Sequence, residues 1–552
     1  EMMTAVLGAG LAYLLISPDL PTERIRMILE KSGAALLISE EKFLEKHGLR
    51  SADIPVFVPE CEEDEEEAAS RGSVILPAGN QKGPAYVVYT SGSTGVPKGV
   101  EISQRNLLNF AGGMKDIYGK GAVLSLCNVG FDAFVLESVA ALINGKTIVI
   151  ADQDEQESPN RLAALIKGYA VGFCAMTPSR LAAFMKNDAF CAALRNMESI
   201  LCGGEAFPPN LLKELKNITN ARIYNQYGPT ETTVGVSIKE LSGARTITAG
   251  KPMENCRLYV LDQWMNPLPE GVYGNLYVGG ECVGTGYRNE PELTAEKFLP
   301  NPFESGGRIY NTGDVACWTD EGEIILAGRK DGQVKLRGQR IELQEIAACI
   351  ASYPGVDDAA AKVCDCSGTP MLVAYYCSGR EITERELLTF AANYLPVYML
   401  PSYVIRMEEI PITANGKTDE SRLPEPQPEI QEQKDDYVTD GFEGEILSIF
   451  RRALGNDVLG VTDDYFQHGG DSLNAMQVLT ELEELTGTKI KIADIYLCRS
   501  ARKLAGYLKG EKNISGYRED RTVLTSVSGR EWYPLSPIQQ GILIQSSLDP
   551  PG

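Results

Sequence analysis

Residues 84–100 have the sequence Pro-Ala-Tyr-Val-Val-Tyr-Thr-Ser-Gly-Ser-Thr-Gly-Val-Pro-Lys-Gly-Val. The apolar run 85–89 predicts a buried strand. A loop of hydroxyls and glycines follows, and it consists of Thr90, Ser91, Gly92, Ser93, Thr94 and Gly95, with Lys98 at its end. Glycines let backbone N–H groups approach an anion, and lysine adds a positive charge. The loop is therefore predicted to bind a polyphosphate, although it lacks a Walker A ending; the alternative is a surface turn.

Composition places the chain among multi-domain globular proteins. Its 552 residues suffice for about three or four domains, and 43% hydrophobic content excludes global disorder. A net charge of -23 argues against nucleic acid as a ligand. Thirteen cysteines without CxxC pairs indicate reduced thiols in a cytoplasmic protein. Two histidines make histidine-based metal or triad chemistry a poor explanation, and no apolar stretch is long enough to span a membrane.

The order of the predicted elements indicates an α/β fold. A helix is predicted from Thr22, with Ile25, Ile28 and Leu29 on one face and Gly33 at its end, and a strand is predicted at 34–38. Strands and helices that alternate in this way form layered α/β domains.

Several polar groups lie in otherwise apolar or glycine-rich stretches. Asp132 stands between phenylalanines, where a carboxylate is costly unless it is paired; the alternative is a helix cap. Gly203 and Gly204 follow a strand-like run, and the run Asn-Gln-Tyr-Gly-Pro-Thr-Glu-Thr-Thr occupies 225–233. Residues 333–342 alternate along a strand, and Gly338 within them would let another backbone pass closely.

Together these motifs resemble the adenylate-forming enzymes, in the branch of nonribosomal peptide synthetase adenylation domains. The resemblance implies a layered α/β core at 1–330 that lacks its N-terminal part, and a small α+β lid at 331–423. A linker would follow at 424–436. A four-helix peptidyl carrier domain is expected at 437–511, and residues 512–552 resemble a linker and the opening of a condensation domain.

The resemblance also implies a role for each motif. Thr90 to Thr94 and Lys98 would hold phosphate, and Glu231 would bind Mg²⁺, which on phosphates usually takes one or two carboxylates. Lys417 would bridge the substrate carboxylate and ATP, and Asp331 would be the hinge between two lid orientations. The remaining ATP-binding positions are Gly204, Glu205, Ala206, Asn225, Tyr227, Gly228, Thr230, Asp314 and Arg329.

The substrate pocket follows from the same resemblance. Asp132 would pair with the α-amino group of an amino acid. Around the side chain would lie Ala133, Leu136, Ala175, Leu201, Gly203, Gln226, Val234 and Gly235. Since Ala175, Gly203 and Gly235 are small and Leu136, Leu201 and Val234 are apolar, the sequence predicts a bulky apolar or aromatic substrate, with Gln226 as the one polar contact.

Gly-Gly-Asp-Ser-Leu at 469–473 precedes a predicted helix with Leu473, Met476, Leu479 and Leu482 on one face. An ordinary N-cap is the alternative for Ser472. The resemblance makes Ser472 the attachment point of 4′-phosphopantetheine and implies a phosphopantetheinyl transferase and neighbouring synthetase modules as partners. Two other hypotheses stay open: a stand-alone acyl-CoA ligase, and a docking platform that keeps the fold without catalysis.

Overall fold

The structure is a computed structural model. It describes residues 2–51, 54–59, 83–92, 96–330, 333–336, 338–366, 369–412, 418–426, 441–457, 459–466, 468–470, 472–487, 490, 494–495 and 498–509. The predicted α/β class is confirmed. No helix within these ranges is long and apolar enough to cross a membrane.

The largest sheet of the core has seven strands, and the five strands from Arg222–Tyr227 to the edge strand Ile148–Ile150 are parallel. Buried aliphatic and aromatic side chains fill the layers between this sheet and its helices. In spatial order its strands are Lys251–Pro252, Ser237–Glu240, Arg222–Tyr227, Ser199–Gly203, Val171–Met176, Ala122–Ser125 and Ile148–Ile150.

Two further core sheets flank the cavity described below. One consists of Tyr13–Leu14, Pro84–Thr90, Lys98–Ser103 and Gly286–Tyr287. The other is antiparallel and consists of Cys256–Leu261, Gly274–Gly280, Arg308–Trp318, Phe298–Pro300 and Ile324–Arg329. The α-helices of the core are Met2–Gly8, Thr22–Ser32, Glu41–His47, Gln104–Met114, Ala133–Glu137, Val139–Ile143, Gln153–Glu157, Pro159–Gly168, Pro178–Phe184, Asp188–Leu194, Pro209–Ile218 and Pro291–Lys297.

Local predictions near the N-terminus are largely confirmed. Thr22–Ser32 is a helix that buries Ile25 and Ile28, and it ends at Gly33, whose φ of 62° is left-handed. A left-handed residue after the last turn suits glycine because no Cβ clashes. The strand predicted at 34–38 is shorter than expected and comprises only Leu37–Ile38, which pairs with Val56–Phe57.

The lid contains a hairpin, Gln333–Leu336 with Gln339–Glu342, and a sheet of Asp358–Cys366, Thr369–Cys377 and Tyr403–Met407. Its helices are Leu343–Ala351 and Glu384–Ala391. The described part of the carrier segment has the helices Gly441–Leu454, Ser472–Thr486 and Ala501–Leu508 around one apolar cluster. The predicted domain boundaries stay predictions.

Candidate functional site

One cavity lies where the core meets the lid hairpin. Eight of the residues predicted for the site line it: Thr90, Ser91, Asp132, Gly204, Gly228, Thr230, Asp314 and Arg329. The lid contributes Gln333, Lys335, Gly338, Arg340 and Tyr398 to the same lining. Residues up to 310 positions apart in the sequence, from Val88 to Tyr398, therefore face one space.

The polyphosphate-loop stretch begins as predicted. Pro84–Thr90 is a buried strand that pairs with Lys98–Ser103, and Thr90 lies opposite Lys98. Gly92 and Val96 lie very close together, because a Cβ on Gly92 would lie 1.9 Å from the carbonyl oxygen of Val96. Only glycine fits such an approach. Ser93, Thr94 and Gly95 lie outside the described residues.

Glu231 is fully buried and both of its carboxylate oxygens are engaged. Oε2 accepts a hydrogen bond from Arg340 Nη1 at 2.6 Å. Oε1 accepts one from the Tyr287 hydroxyl at 2.8 Å and lies 3.4 Å from Lys98 Nζ. Burial by itself would raise the pKa of Glu231, but the charges of Arg340 and Lys98 outweigh burial and hold the pKa well below the usual range. Burial lowers the pKa of Lys98, and Glu231 opposes that shift.

Asp132 has a different environment. It precedes the helix Ala133–Glu137 but makes no side-chain cap there, so the capping alternative is not supported. Among the described residues, no cation forms an ion pair with Asp132. Burial raises the pKa of this carboxyl group, and a hydrogen bond from the Thr230 hydroxyl opposes part of the rise. A half-buried carboxylate without a cation partner is suited to a ligand that brings a positive charge.

Asp314 lines the same cavity as Asp132. Its carboxylate accepts hydrogen bonds from the Tyr227 hydroxyl at 2.5 Å and from Arg329 Nη1 at 3.1 Å. Asn225 donates its Nδ2 to the carbonyl oxygen of Thr248 at 2.7 Å, which fixes the orientation of its amide. Burial raises the pKa of Tyr227, so its hydroxyl stays a donor at neutral pH.

Gly204 lines the cavity, and Glu205 follows it in the chain. Glu205 accepts hydrogen bonds from the backbone N–H and the hydroxyl of Ser179 at 3.0 and 2.6 Å. Its carboxylate therefore holds the start of the helix Pro178–Phe184. Gly338 of the lid lies close to this region, since a Cβ on it would be 2.2 Å from Thr177 Cγ2. The expected close approach at Gly338 is confirmed.

The predicted side-chain pocket is narrower than the small residues suggest. Gln226 Nε2 lies 3.7 Å from Met114 Sδ and 3.6 Å from Met253 Sδ. A Cβ on Gly235 would be 2.4 Å from the Gln226 amide, so this glycine makes room for Gln226 and not for open space. A Cβ on Gly203 would lie 3.1 Å from the backbone carbonyl oxygen of Gln226. The Gln226 side chain therefore takes up the room beside Gly235, and the use of both glycines as substrate space stays a prediction.

The other residues predicted for the side-chain pocket are either buried or half-buried. Leu136 and Leu201 are buried in one apolar cluster, and Ala133, Ala175 and Val234 are half-buried.

Ser472 begins the helix Ser472–Thr486, as predicted. The turn before it is fixed, because the Tyr465 hydroxyl donates to Asn474 Oδ1 at 2.8 Å and Asn474 Nδ2 donates to the Gly469 carbonyl at 3.2 Å. A Cβ on Gly470 would be 2.3 Å from the Tyr465 ring. This ordered turn at the start of a 15-residue helix fits a phosphodiester at Ser472, since helix N-termini attract anions.

The carrier segment contacts both the core and the lid. Arg161 Nη2 of the core lies 3.5 Å from Glu483 Oε2, and the Ser472–Thr486 helix approaches the core helix Pro178–Phe184. Arg499 Nη2 donates to the carbonyl oxygen of Ser402 in the lid at 3.3 Å. The carrier helix Ser472–Thr486 is thereby held on the side of the core that carries the helix Pro178–Phe184.

Sequence reasoning assigned no individual role to four residues that the fold brings to the site. They are Arg340, Lys335, Tyr398 and Glu345, all from the lid. Lys335 Nζ lies 5.4 Å from the centre of the Tyr227 ring, and the Tyr398 ring lies 6.0 Å from that of Phe131, next to Asp132. The alternating pattern at 333–342 indicated a strand, but only the docked lid shows what it contacts.

Lys417 and Asp331 lie outside the described residues, as does the condensation-like segment 512–552.

A divalent cation fits at Glu231 only after Arg340 has moved away from this carboxylate. Within the described ranges, no three His, Cys, Asp or Glu side chains are grouped as a metal site, so Glu231 is the protein ligand on offer. Arg340 now pairs with Glu231 Oε2. Once Arg340 withdraws, Glu231 would present a buried, ionised oxygen of the kind that Mg²⁺ prefers.

Comparison with known proteins shows which families the parts of the chain match. Residues 1–288 match the model of the AMP-binding enzymes, residues 345–417 match the C-terminal domain of those enzymes, and residues 444–508 match the phosphopantetheine attachment site. AMP-binding enzymes of this type use ATP with Mg²⁺, and the attachment domain carries phosphopantetheine covalently.

The chain is 36% identical over 541 residues to bacitracin synthase 3 of Bacillus licheniformis. This match covers 95% of this chain and 8% of that protein. It is 33% identical over 558 residues to tyrocidine synthase 3 of Brevibacillus parabrevis, again over 8% of the relative's length. The chain therefore spans a small part of these relatives.

Two solved structures share the arrangement. Holo-PA1221, a synthetase protein with adenylation and PCP domains bound to a vinylsulfonamide inhibitor, has a TM-score of 0.72 at 24% identity, covering 92% of this chain and 85% of that one. Holo-AB3403, a four-domain synthetase bound to AMP and glycine, has a TM-score of 0.53 at 30% identity, covering 93% and 38%. With its fold, its motifs and a carrier segment on the same chain, the protein belongs to the AMP-binding enzymes, as an adenylate-forming ligase of the nonribosomal peptide synthetase type.

Proposed function

We propose that the chain activates an α-amino acid with ATP and then loads it onto its own carrier segment. In the first step the amino-acid carboxylate attacks the α-phosphate of ATP, and pyrophosphate leaves. In the second step the aminoacyl group passes to the thiol of 4′-phosphopantetheine on Ser472, and AMP leaves. The observation that carries the proposal is the cavity that Asp132 shares with Thr90, Ser91 and Asp314.

Asp132 is the proposed partner of the substrate ammonium. Its carboxylate has a raised pKa and no ion-pair partner among the described residues, so an ammonium would supply the missing charge. A charge-assisted hydrogen bond in a half-buried site is stronger than a neutral one. This pairing would orient the substrate carboxylate towards the phosphate end of the cavity. It also favours an amino acid over the aryl or fatty acid of an acyl-CoA ligase.

The phosphate end would hold the polyphosphate through the loop that starts at Thr90, the Thr230 hydroxyl and Lys98. Mg²⁺ bound at Glu231 would supply positive charge that neutralises the leaving pyrophosphate. Lys98 is buried beside Glu231 and keeps that carboxylate ionised. Lys417 would add a second positive charge. The protein's contribution is then chiefly positioning and electrostatic stabilisation.

The nucleoside end would be held by residues around Asp314. Its carboxylate is fixed by Tyr227 and Arg329, which leaves it oriented to accept from ribose hydroxyls. The peptide between Gly203 and Gly204, with Glu205, Ala206, Asn225 and Gly228, would form the adenine surface.

The lid orientation described here suits the loading step. Arg340 pairs with Glu231 and the lid hairpin lies over the cavity, so MgATP would require a different lid position. The contacts of the carrier helices with Arg161 and Ser402 support the same assignment. The lid would reach its other orientation by rotation about Asp331.

A bulky apolar or aromatic side chain remains the proposed preference. Leu136 and Leu201 supply apolar walls. Gln226 occupies the room beside Gly235, and in the described structure its hydrogen bonds run from Nε2 to two methionine sulfurs. The Gln226 carbonyl oxygen would be the one polar contact that a substrate such as tyrosine could use.

An amino-acid-dependent pyrophosphate exchange panel tests both parts of this proposal. The full chain is offered each of the common amino acids with MgATP and labelled pyrophosphate. Exchange with leucine, phenylalanine or tyrosine well above the others is expected. Preference for aspartate, lysine or glycine would overturn the specificity, and no exchange with any amino acid would overturn the function.

Mass spectrometry tests the loading part. Treatment with a phosphopantetheinyl transferase and coenzyme A should add one phosphopantetheine at Ser472, and Ser472→Ala should abolish the gain. A chain that exchanges pyrophosphate but gains no mass at Ser472 would fit the stand-alone acyl-CoA ligase better. Neighbouring synthetase modules, including a condensation domain after residue 511, are the proposed further partners.

A further inference from the structure

A buried ion pair lies behind the proposed adenine surface. Lys239 is on the strand Ser237–Glu240, directly opposite Asn225 on the neighbouring strand Arg222–Tyr227. Its Nζ pairs with Oε2 of Glu323, which is 84 positions further along the chain. The two side chains are only 8% and 11% exposed. Burying two charges costs free energy that their attraction repays only with good geometry and further hydrogen bonds, so the other partners of Glu323 matter.

Thr248 connects this ion pair to Asn225. The Thr248 hydroxyl donates to the same Glu323 oxygen at 2.8 Å and accepts a hydrogen bond from the N–H of Gly250 at 3.1 Å. The Thr248 carbonyl oxygen accepts a hydrogen bond from Asn225 Nδ2 at 2.7 Å. Thr248 is therefore held through its side chain by Glu323, and it holds Asn225 through its backbone.

The contact with Thr248 fixes which atom of the Asn225 amide is left for a ligand. A carbonyl oxygen is an acceptor, so it must face the NH2 side of the amide, and Oδ1 lies on the other side. Among the described residues, the one hydrogen bond of the Asn225 side chain is that from Nδ2 to Thr248. The amide thus presents an acceptor, which suits a base with an amino group and repels a base with a carbonyl group at the same position.

Asn225 lies on the face of its strand that serves the cavity. Asn225 and Tyr227 are two positions apart on one strand, so their side chains project from the same face. The Tyr227 hydroxyl donates to Asp314, which lines the cavity, and Gly228 directly after Tyr227 lines it too. The acceptor at Asn225 is therefore suited to the base of a nucleotide whose ribose lies at Asp314.

The charge on Glu323 makes its contact with Thr248 a strong one. Burial by itself would raise the pKa of Glu323, but the hydrogen bonds from Lys239 and Thr248 and the charge of Lys239 outweigh burial and lower the pKa. The carboxylate is then ionised at neutral pH. A hydrogen bond to an ionised acceptor is stronger than one between neutral groups, so the Thr248 hydroxyl stays directed at Glu323.

We propose that the ion pair of Lys239 and Glu323 positions Thr248, and through it the Asn225 amide, so that this buried pair sets the preference of the site for a nucleotide whose purine carries a 6-amino group. Neither Lys239 nor Glu323 is among the residues that line the cavity, so both are positioning residues. The inference rests on the proposed function, in which Asn225 and Asp314 belong to the nucleoside site. It adds how the chain selects the base there.

Calorimetric titration of MgATP and of MgITP into the full chain, without amino acid, tests this preference. The two nucleotides carry an amino group and a carbonyl group, respectively, at position 6 of the purine. The natural chain is expected to bind MgATP at least about tenfold more tightly than MgITP. Thr248→Val removes the hydrogen bond to Glu323 and should lower this ratio about fivefold, whereas Thr248→Ser keeps the hydroxyl and should retain it. Thr147→Val, the same substitution at an exposed position, is the control.

A double-mutant cycle tests whether the ion pair acts through Asn225. Asn225→Ala should lower the ratio of the two affinities, and the addition of Thr248→Val should lower it no further. A purely structural role would weaken MgATP and MgITP equally in both backgrounds. Lys239→Met with Glu323→Leu removes both charges and strands neither of them, so this variant should lose the preference for MgATP even if Thr248→Val folds poorly.

Pyrophosphate exchange supplies a second readout. With the amino acid that exchanges fastest, Thr248→Val should raise the KM for ATP about fivefold while the KM for the amino acid stays within about twofold. An unchanged ratio of the two affinities in both Thr248→Val and the charge-free variant would overturn the inference, as would a natural chain that binds MgATP and MgITP equally. A natural chain that binds neither nucleotide and exchanges pyrophosphate with no amino acid would instead overturn the proposed function.

Discussion

Two carboxylates of the proposed site are neutralised in different ways: Asp132 lines the cavity, whereas Glu231 is fully buried next to Thr230 in the chain. Glu231 at the phosphate end is fully buried, is held by Arg340, Lys98 and Tyr287, and has a pKa well below the usual range. Asp132 at the amino-acid end has a raised pKa and no ion-pair partner among the described residues. The protein therefore completes one charge pair by itself, and it leaves the other for a ligand. An internally satisfied charge stabilises the fold, whereas an unsatisfied one creates a binding site.

The largest expected effect comes from removing the unpaired carboxylate. Asp132→Asn should lower kcat/KM for amino-acid-dependent pyrophosphate exchange by about 100- to 1000-fold, because the ammonium loses its charged partner. The measurement is exchange at saturating MgATP over a range of amino-acid concentrations. Asp320→Asn, at an exposed position, is the control and should match the natural chain. Exchange that survives in Asp132→Asn would remove Asp132 from the amino-acid site.

The next effect concerns the paired carboxylate. Glu231→Gln leaves Lys98 and Arg340 without their shared anion, so the free energy of unfolding should fall by about 3 kcal/mol at neutral pH. A thermal melt of the core, followed by near-ultraviolet circular dichroism, measures the change. Glu270→Gln, an exposed substitution, should leave the melting temperature unaltered. If Glu231→Gln is as stable as the natural chain, the buried pairs at Glu231 contribute little to folding.

The smallest effect is the pH dependence of stability, and its sign is opposite for Asp132 and Glu231. The pKa of Asp132 is raised in the folded state, so the unfolded chain ionises first as pH rises and the contribution of Asp132 to stability is lost above its folded pKa. The pKa of Glu231 is lowered, so its contribution is present above the unfolded value and is lost as pH falls.

Melting temperatures between about pH 2 and pH 8 check these signs. Asp132→Asn should be more stable than the natural chain at neutral pH, by a free energy of unfolding on the order of 1 kcal/mol, and the difference should shrink as pH falls. Glu231→Gln should lose its disadvantage as pH falls towards acid. A destabilised Asp132→Asn at neutral pH would mean that Asp132 has an internal partner after all.

Local chemistry made much of the fold predictable. The apolar run before Thr90 gave a buried strand, and the periodic helix from Thr22 ended at Gly33, because glycine accepts the left-handed conformation there. The helix beginning at Ser472 was likewise confirmed. These predictions succeed because periodicity and glycine conformation depend on near neighbours in the chain.

The side-chain pocket shows why prediction from composition is limited. Gly235 was expected to open space, but the Gln226 side chain fills it. Whether a small residue creates a cavity depends on which side chain lies across from it, and that is a property of packing between distant segments.

The sequence alone determined the chemistry available to this protein: a glycine- and hydroxyl-rich loop after a strand, an acidic residue among apolar ones at Asp132, and a serine at a helix start at Ser472. The tertiary structure alone decided how those groups are paired. Arg340 reaches Glu231 across 109 positions, and Glu345 reaches Gly92 across 253. Such contacts depend on where the lid docks, and the docking position is set by the free energy of an interface between distant segments and not by the pattern of any one of them.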